Sequence, residues 1–497
     1  MNLWLFIEGL SSENGIIYTN NTLGGKYMSE CEKRKNRYFG TDGFRGEANL
    51  SLTSMHAYKI GRFLGWYYAS PHSGCQSNNY RPRIVIGKDT RRSSYMLEYS
   101  IVAGITASGA DAYMLHVTTT PSVSFVTRQD EFDLGIMITA SHNPYYDNGI
   151  KIINRQGEKL DDESTRLIED YIDGDLSSLG IEGDDLPLAV GDKIGCVIDY
   201  VSGRNRYVGY LISVASNSYK RLRIGLDSAN GAGWAIARSV FGALGAEISL
   251  IGAEPDGVNI NLECGSTKVD KLRALVRERN LDLGFAFDGD CDRCIAVDEK
   301  GNTVDGDAIM YILARRLMRH GMLSGNTVVS TVMSNSGLDR ALAELGIDSV
   351  HTRVGDRFVY ECMQEGDYSL GGEQSGHIIM KKYATTGDGI LTAIMICEEI
   401  CDTKSPLSAL SAGMKPYPQI TRNMRVSDKH AAVLDKRVVS SVLEAEELIC
   451  GKGRVVLRES GTEPVVRIMI ECESEELGLR CLGVVSRAIE DGGYTVE

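Results

Sequence analysis

The stretch FDGDCDRC, residues 287–294, concentrates more negative charge than so short a segment holds without a counterion. Asp288, Asp290 and Asp292 stand at alternate positions directly behind the apolar run GFAF. Three carboxylates this close repel one another and raise each other's pKa values unless a cation lies among them. Mg²⁺ usually binds few protein carboxylates and leaves coordination positions open for a phosphate oxygen. The spacing therefore predicts a divalent metal site with room for an anionic ligand.

Other chemistries remain open for this segment. As an EF-hand loop it has Arg293 where the sharp turn needs glycine, and β-like runs rather than helices flank it. Cys291 and Cys294 form a CxxC, but neither a second CxxC nor a nearby His pair accompanies it, as a zinc site would require. A solvated acidic turn is a further alternative, and the apolar runs on either side disfavour it. These features favour Mg²⁺.

A second polar segment, TASHNP, follows the apolar run GIMI. It puts Ser141 on a turn before Pro144, where the Oγ can point outward from the strand end. His142 does not complete a hydrolase triad with it, because adjacent side chains rarely reach that geometry and GxSxG is absent. A plain turn is the alternative interpretation.

Two more segments suggest ligand binding. GGEQSGH puts Glu373, Ser375 and His377 at alternate positions, so all three could face one side and bind a polyhydroxyl ligand. An ordinary glycine-rich loop is the alternative. RESGTEP joins two hydroxyls and a glycine to Arg458, with Arg467 further along. Backbone N–H groups in such a nest, with hydroxyls and a forked guanidinium, fit a phosphate dianion.

These segments follow a repeated pattern of elements. Apolar runs starting near Ile84, Ile224 and Val328 each precede a polar turn, an amphipathic helix, a glycine and a second apolar run. This is a βαβ pattern three times over. Downstream in each copy, a further apolar run leads into TASHNP, DGDCDR or GGEQSGH. Because ligands bind at the carboxyl ends of strands in open α/β sheets, the pattern predicts three domains that face one cleft.

Composition excludes several classes of protein. With 497 residues the chain exceeds the size of a single core, so several domains are expected. The net charge of -14 argues against a general binder of nucleic acid or anionic membranes. No apolar run approaches the roughly 18 residues of a membrane span, and MNLWLFIEGL lacks the basic lead of a signal peptide. The 12 scattered cysteines are typical of reduced thiols in a cytoplasmic protein.

Five motifs in order, FGTDGFRG, TASHNP, DGDCDR, GGEQSGH and RESGTEPVVRI, resemble those of the α-D-phosphohexomutase superfamily from about Arg37 to the end of the chain. Within it the sequence is most similar to the phosphoglucosamine mutase branch, through Gln374, EPDGVNINLECGST and VGDRFVYE. The resemblance implies an isomerase that interconverts glucosamine 6-phosphate and glucosamine 1-phosphate and feeds UDP-N-acetylglucosamine synthesis. The alternatives are a phosphomannomutase or phosphoglucomutase of the same superfamily, a metal-dependent sugar phosphatase, and a non-catalytic sugar-phosphate sensor.

The resemblance also implies roles for the residues. Ser141 would be a phosphoserine and, with Asp288, Asp290 and Asp292, would bind one Mg²⁺ per active site. The residues implied around that phosphoserine are Arg45, His142 and Lys151. The residues implied to bind substrate are Glu373, Ser375, His377, Arg293, Gly355, Arg458, Ser460, Gly461, Thr462 and Arg467. The intermediate would be a hexosamine 1,6-bisphosphate.

The implied partner is a small-molecule sugar phosphate, with neither nucleic acid nor membrane, and the resemblance is compatible with a homodimer. The expected fold class is α/β: three similar domains with mixed sheets and a smaller C-terminal α+β domain around a central cleft. The expected segments are an N-terminal extension (1–36), a phosphoserine domain (37–195), a metal-binding domain (196–299), a sugar-binding domain (300–413) and a phosphate-binding C-terminal domain (414–497).

The sequence departs from the family pattern at two places. Cys291 stands where the family usually has glycine, so we expect sensitivity to thiol reagents or soft metals. The chain also has about 30 residues before the usual start of the family. Met1 to Tyr27 shows no caps, no sustained periodicity and little to dock against, so we expect these residues to be dispensable, with Met28 as an alternative start of translation.

Overall fold

A computed structural model describes residues 10–13, 16–19, 36–40, 42–70, 80–459 and 464–496. Backbone contacts divide the chain into two compact units. The larger unit holds residues 34–334 and 342–413. The smaller holds the residues from Met414 onward together with 335–341 and the N-terminal strands. Among the described residues, no helix has both the length and the apolar character needed to cross a bilayer.

The N-terminal segment contributes β1 (Leu10–Glu13) and β2 (Ile16–Thr19), which pair antiparallel. β2 also pairs antiparallel with the strand of the smaller unit that contains Val456 and Arg458. The expectation that this segment has little to dock against is therefore not met. That residues 1–27 are dispensable stays a prediction.

The first domain is built on a seven-stranded mixed sheet. Its elements are β3 (Phe39–Gly40), β4 (Gly43–Glu47), α1 (Ser54–Ala69), β5 (Arg83–Lys88), α2 (Arg92–Ala107), β6 (Asp111–Val117), α3 (Thr120–Gln129), β7 (Leu134–Ile138), β8 (Asp147–Asn154), α4 (Asp162–Ile172) and β9 (Val197–Asp199). Along β5, Ile84 and Ile86 enter one hydrophobic core and Val85 enters another. A strand buried on both faces reads as a continuous apolar run, which is why the sequence signals it so clearly.

The second domain has a five-stranded sheet in the order β11-β10-β12-β13-β14. Its elements are α5 (Val201–Val214), β10 (Arg223–Asp227), α6 (Trp234–Ala243), β11 (Glu247–Ile251), α7 (Asp270–Glu278), β12 (Leu283–Phe287), β13 (Cys294–Asp298) and β14 (Thr303–Val304). Every residue of β12 and β13 is buried, so the loop between these strands starts and ends inside the domain.

The third domain has a four-stranded sheet in the order β16-β15-β17-β18. Its elements are α8 (Gly306–Arg319), β15 (Thr327–Thr331), β16 (Asp348–Thr352), α10 (Asp356–Glu365), β17 (Leu370–Gly372), β18 (Ile378–Met380), α11 (Gly389–Thr403) and α12 (Leu407–Ser411). Between β15 and β16 the chain forms α9 (Ser336–Ala343), most of which belongs to the smaller unit.

The three sheets share one arrangement of strands. In each, a central strand (β5, β10 or β15) lies between two parallel neighbours. The neighbour that comes later in the chain (β7, β12 or β17) then pairs with an antiparallel strand (β8, β13 or β18). The segments TASHNP, DGDCDR and GGEQSGH begin at the ends of β7, β12 and β17. The predicted triple repeat is confirmed. The first sheet also takes in β9, beyond the expected boundary at residue 195.

The smaller unit is α+β, as expected. Its further elements are β19 (Gln419–Arg425), α13 (Lys429–Leu434), α14 (Lys436–Ile449), β20 (Gly453–Glu459), β21 (Val465–Cys472) and α15 (Glu475–Asp491). The sheet runs in the order β1-β2-β20-β21-β19. Residues of the last three strands of that order form one core with α13, α14 and α15.

Candidate active site

Ser141 lies just after β7 and has a left-handed backbone with φ +52°. An L-residue other than glycine adopts this conformation at a cost of about 1–2 kcal/mol. The side chain is only 1% exposed, and its Oγ donates a hydrogen bond of 2.5 Å to Asp288 Oδ2. From the end of its strand, the serine thus points at the aspartate loop.

The aspartate loop, residues 288–293, connects the antiparallel strands β12 and β13. Asp288, Asp290 and Asp292 are 1%, 0% and 4% exposed. One carboxylate oxygen from each lies within 4.8 Å of the others. Because two strands rather than two helices flank the loop, the EF-hand alternative does not fit. Burial of this much charge makes a solvated turn equally unsuitable.

Lys151 on β8 is the principal cation beside these carboxylates. Its Nζ lies 2.8 Å from Asp290, 3.2 Å from Asp292 and 3.2 Å from Asp42. Burial lowers the pKa of Lys151, but the three carboxylates raise it by more, so the lysine stays charged. Burial raises the pKa of Asp292, but Lys151, His377 and Arg293 together lower it by more, and the net pKa falls well below its usual range. This pair is therefore ionised at neutral pH.

Asp288 behaves in the opposite way. Burial, with Asp292 and Asp290 nearby, raises the pKa of Asp288 well above its usual range. Adjacent carboxylates whose pKa values are shifted in opposite directions are typical of a functional site.

The aspartate loop has donor atoms that fit a metal ion. Among the described residues, the Oδ1 atoms of Asp290 and Asp292 are buried without a hydrogen-bond partner. The three aspartates are also the only cluster of at least three potential ligand side chains in the described part of the chain. Oxygen donors of this kind suit Mg²⁺, and buried acceptors without a partner are costly unless a cation or a proton meets them. The loop can therefore hold a hard divalent cation.

His142 and Arg293 flank the serine. The Nδ1 of His142 lies 3.4 Å from Ser141 Oγ and 3.1 Å from an Nη of Arg293. Burial, Arg293 and Arg45 together lower the pKa of His142 to about 4. The imidazole is therefore uncharged at neutral pH, whereas Arg45 is ion-paired with Asp42.

The loop after β17 presents only part of the predicted sugar site. Glu373 is half-buried and accepts hydrogen bonds from the Gly355 N–H (3.1 Å) and from Ser375 Oγ (3.3 Å). His377 instead turns inward, where its Nδ1 lies 3.7 Å from Asp292. The expected alternation fails because Gly376 has φ +93°, and this left-handed residue turns the chain between Ser375 and His377.

Gly376 also fixes this loop against β13, the strand that follows the aspartate loop. Its carbonyl accepts a 3.0 Å hydrogen bond from the N–H of Cys294, and a Cβ at residue 376 would lie 2.3 Å from the Cys294 carbonyl oxygen. The neighbouring Gln374 donates to Asp305, which caps the N terminus of α8. Gln374 therefore contacts the scaffold of its own domain.

The thiol of Cys291 does not have the environment of a reactive cysteine. Its side chain is fully buried, and burial together with Asp288 raises its pKa well above the ordinary value. Reactive cysteines are accessible and have lowered pKa values. The structure thus contradicts the expected sensitivity to thiol reagents at this position.

Several residues of the site were not expected from the sequence. Lys159 lies 2.7 Å from Asp42 and 2.7 Å from Asp356, so it joins FGTDGFRG of the first domain to VGDRFVYE of the third. Thr120, at the first turn of α3, donates a 2.5 Å hydrogen bond to Asp290 Oδ2. The TTTP run before α3 marks a helix start, but nothing local marks the contact with Asp290.

In the smaller unit, Arg458 on β20 and Arg467 on β21 are directly opposite each other in the antiparallel register. Like charges facing each other across two strands destabilise a sheet. An anion bound between the two guanidinium groups would offset their repulsion. The predicted phosphate nest is such a site. Ser460, Gly461 and Thr462, the other members of the nest, lie outside the described residues.

Comparison with known proteins finds matches along most of the chain. Residues 36–178, 205–301 and 305–417 match the models of the phosphoglucomutase/phosphomannomutase alpha/beta/alpha domains I, II and III, and residues 422–485 match the C-terminal domain of that family. The chain belongs to the phosphoglucomutase/phosphomannomutase family.

Among curated relatives, this family member is 54% identical to the phosphoglucosamine mutase of Lachnospira eligens over 93% of this chain and 100% of that protein. It is 46% identical to the phosphoglucosamine mutase of Bacillus subtilis over 91% of this chain and 98% of that one. Within the family, the chain groups with phosphoglucosamine mutases.

Solved structures support the fold. A phosphoglucomutase/phosphomannomutase family protein from Burkholderia thailandensis has a TM-score of 0.73 at 22% identity, covering 92% of this chain and 98% of that one. The Aspergillus fumigatus N-acetylphosphoglucosamine mutase, solved with GlcNAc-6P and magnesium, has a TM-score of 0.63 at 17% identity, covering 92% and 96%.

Proposed function

We propose that this phosphohexomutase interconverts glucosamine 6-phosphate and glucosamine 1-phosphate through a phosphorylated Ser141. The observation that carries the proposal is the 2.5 Å hydrogen bond from the buried Ser141 Oγ to Asp288, one of three clustered carboxylates that can hold a divalent cation. A phosphoryl carrier beside a hard cation site is what phosphoryl transfer needs. The names of the relatives support the choice of sugar.

The reaction consists of two transfers. In the first, the bond from phosphorus to Ser141 Oγ breaks and Oγ takes up a proton, while a bond from phosphorus to O1 of glucosamine 6-phosphate forms and the O1 hydroxyl proton passes to a base. The resulting 1,6-bisphosphate turns around. In the second, the bond from phosphorus to O6 breaks, a bond from phosphorus to Ser141 Oγ forms, the serine proton passes to a base and O6 takes up a proton. This leaves glucosamine 1-phosphate and restores the phosphoserine. Covalent catalysis of this kind divides one difficult step into two easier ones.

The residues around Ser141 have different electrostatic roles. Asp288, Asp290 and Asp292 would hold one Mg²⁺, which neutralises charge on a transferring phosphoryl group. Lys151 stays charged and stabilises negative charge, whereas the uncharged His142 can accept a proton at a ring nitrogen.

The remaining predicted residues would bind the substrate. Glu373 and Ser375 can accept hydrogen bonds from sugar hydroxyls or from the C2 ammonium, with Arg293 and Gly355 beside them. His377 would act indirectly, by holding Asp292. Arg458 and Arg467, with Ser460, Gly461 and Thr462, would bind the phosphate that is not reacting. Backbone nests and forked guanidinium groups favour phosphate dianions.

We place the reaction in the cytoplasm, because the cysteines within the described residues are all free. The partner is then a small sugar phosphate, with neither nucleic acid nor membrane, and a homodimer is compatible with the proposal. UDP-N-acetylglucosamine synthesis would consume the product.

Assay of the purified enzyme tests this proposal. Glucosamine, glucose, mannose and N-acetylglucosamine 6-phosphates are each incubated with Mg²⁺ and a trace of 1,6-bisphosphate, and ³¹P NMR follows the 1-phosphate. We expect the highest kcat/KM with glucosamine 6-phosphate. Release of inorganic phosphate without any 1-phosphate would support the phosphatase alternative. Faster turnover of glucose or mannose 6-phosphate would move the enzyme to another branch of the family.

A further inference from the structure

The backbone of Ser141 is held at each of its polar atoms. Its N–H donates to Thr139 Oγ1 at 2.9 Å. Its carbonyl oxygen accepts from an Nη of Arg91 at 2.9 Å and from Nδ2 of Asn261 at 2.9 Å. A left-handed non-glycine residue persists only where surrounding contacts determine its conformation, and these three hydrogen bonds do so here.

Of the two side chains that bind the Ser141 carbonyl, Arg91 belongs to the first domain. Its side chain is fully buried and paired at 2.8 Å with the equally buried Asp89. Besides Ser141, the guanidinium donates to the carbonyl oxygens of Asn143, Pro144 and Asp147. One buried cation thus binds four carbonyls of the segment from residue 139 to residue 147, here called the serine loop.

Asn261 is the contribution of the second domain. Its side-chain amide donates to two of the carbonyls that Arg91 also contacts, those of Ser141 (2.9 Å) and Asn143 (3.0 Å). Asn261 has φ +58°, and its own N–H is fixed by the carbonyl of Ala229 at 2.8 Å. Asparagine tolerates the left-handed region better than most residues, so this backbone can aim the amide at the loop.

The aspartate loop packs against the same Ser141 carbonyl and Asn261 amide. A Cβ added to Gly289 would lie 2.6 Å from the Ser141 carbonyl oxygen and 3.1 Å from Asn261 Nδ2. The metal-binding loop therefore passes directly over the hydrogen bond between Asn261 and Ser141. The segment EPDGVNINLECGST, which the sequence marks only as a family signature, brings Asn261 between the serine loop and the aspartate loop.

We infer that Asn261 is a positioning residue for phosphoryl transfer: with Arg91 it holds Ser141 in its left-handed conformation and fixes the serine loop of the first domain to the aspartate loop of the second. This inference rests on the proposed function of Ser141 as the phosphoryl carrier. The side-chain amide of Asn261 contacts the serine loop through backbone carbonyls and does not contact the Ser141 hydroxyl. Its loss should lower kcat and leave substrate binding alone, because the sugar-binding residues lie in other segments.

The test compares Asn261→Asp and Asn261→Gly with the wild-type enzyme. Aspartate keeps the shape and tolerates the left-handed backbone, but it has no amide donor and puts a negative charge against two carbonyl oxygens. Glycine also tolerates the backbone and simply removes the amide. We expect kcat to fall by about tenfold in Asn261→Gly and by about a hundredfold in Asn261→Asp, because displacement of a reacting group by about 1 Å has effects of this size.

Asn280 provides the matched control. It is another left-handed asparagine of the second domain (φ +50°), it is exposed, and its side chain makes no hydrogen bond to the described residues. Asn280→Asp and Asn280→Gly should keep wild-type kcat, while KM for glucosamine 6-phosphate stays within about twofold in all four variants. A single-turnover measurement of phosphoryl transfer from isolated phosphoenzyme gives a second readout that stability alone would not change.

Wild-type assay comes first, and lack of mutase activity there would defeat the proposed function itself. If the wild type is active and both Asn261 variants keep its kcat, the inference is overturned. A fall in kcat that is matched by an equal fall in the Asn280 variants, or a rise in KM without a fall in kcat, would overturn it as well. Thermal unfolding of each variant identifies a variant that has not folded. If one of the two Asn261 variants does not fold, the kcat of the other tests the inference.

Discussion

The serine and aspartate loops are less exposed than the loop of residues 373–377, here called the sugar loop, although each of the three follows the equivalent strand of its domain. Ser141 and the three aspartates are at most 4% exposed. Glu373 is half-buried and Ser375 is exposed. Charges interact strongly where water is excluded, which suits the burial and the dense hydrogen bonding of the two loops that we propose to transfer the phosphoryl group. A sugar must enter, turn around and leave, so the groups that bind it must reach solvent. One structural module thus serves two opposite requirements.

The comparison predicts where substitutions act. Changes in the buried loops should lower the rate of transfer, whereas changes in the sugar loop should mainly weaken binding. Mutations that lower kcat and kcat/KM equally remove an interaction of the transition state, and mutations that raise KM alone remove uniform binding.

The largest effect should follow Ser141→Ala. Without the phosphoryl carrier the covalent route is lost, so mutase turnover should fall by more than about a thousandfold while the circular dichroism spectrum stays unchanged. Ser124→Ala is the control, because its buried hydroxyl binds the carbonyl of Gly157 away from the aspartates. Full activity of Ser141→Ala would end the mutase mechanism and favour the phosphatase.

Asp290→Asn should have the next largest effect. It removes one negative charge from the cluster, so the Mg²⁺ concentration for half-maximal activity should rise at least about tenfold. Metal titration followed by calorimetry checks binding independently of turnover. Asp298→Asn is the matched control, because this buried carboxylate only accepts backbone hydrogen bonds from Lys300 and Asn302 and one from the Asn302 side chain. An unchanged metal requirement in Asp290→Asn would remove that residue from the site.

Glu373→Gln tests the open side of the comparison. A charge-assisted hydrogen bond is worth roughly 1.5–3 kcal/mol, so KM for glucosamine 6-phosphate should rise about tenfold or more, with a smaller change in kcat. The preference over glucose 6-phosphate should shrink as well; for the wild type we expect this preference to be about ten- to hundredfold. Glu361→Gln, on the exposed face of α10, is the control. A loss confined to kcat would place Glu373 with the transfer loops.

The smallest effect concerns a buried carboxylate that serves stability. Asp388 caps α11 and accepts a 2.7 Å hydrogen bond from Tyr207. Burial raises its pKa to about 6. The Asp388 carboxyl group therefore binds its proton more tightly in the folded protein than in the unfolded chain. The contribution of this proton to the free energy of unfolding is fully present below about pH 4 and is lost as the pH rises through about 6.

Asp388→Asn removes that titration. The free energy of unfolding of the wild type minus that of the variant should therefore fall by on the order of 3 kcal/mol between pH 4 and pH 7. Urea unfolding at a series of pH values measures the difference. A difference that is constant across this range would show that Asp388 has an ordinary pKa.

The sequence predicted the three loops because each is a local motif behind a buried strand. It could not predict what holds them. Asn261 and Ser141 are 120 positions apart, and Thr120 and Asp290 are 170 apart. Such contacts depend on how the domains pack, and no local pattern records them.

The local sequence pattern is also a poor guide where the backbone departs from its regular path. Alternation from Glu373 to His377 assumed an extended strand, but Gly376 turns the chain. The thiol of Cys291 was expected to react because of its type, whereas its burial is a property of the folded domain. Residue type indicates which chemistry is available, and packing determines whether it is accessible.

The pairing of β2 with β20 has a consequence for solubility. A strand at the edge of a sheet presents open backbone groups on which a strand of another molecule can add. β20, with the apolar centre VVL, has a partner on each side, and the open edge of the sheet passes to β1, whose sequence is LSSE. A chain that starts at Met28 would keep the residues of the buried loops but would lose this cover, so we expect it to turn over substrate normally and to aggregate at lower concentration.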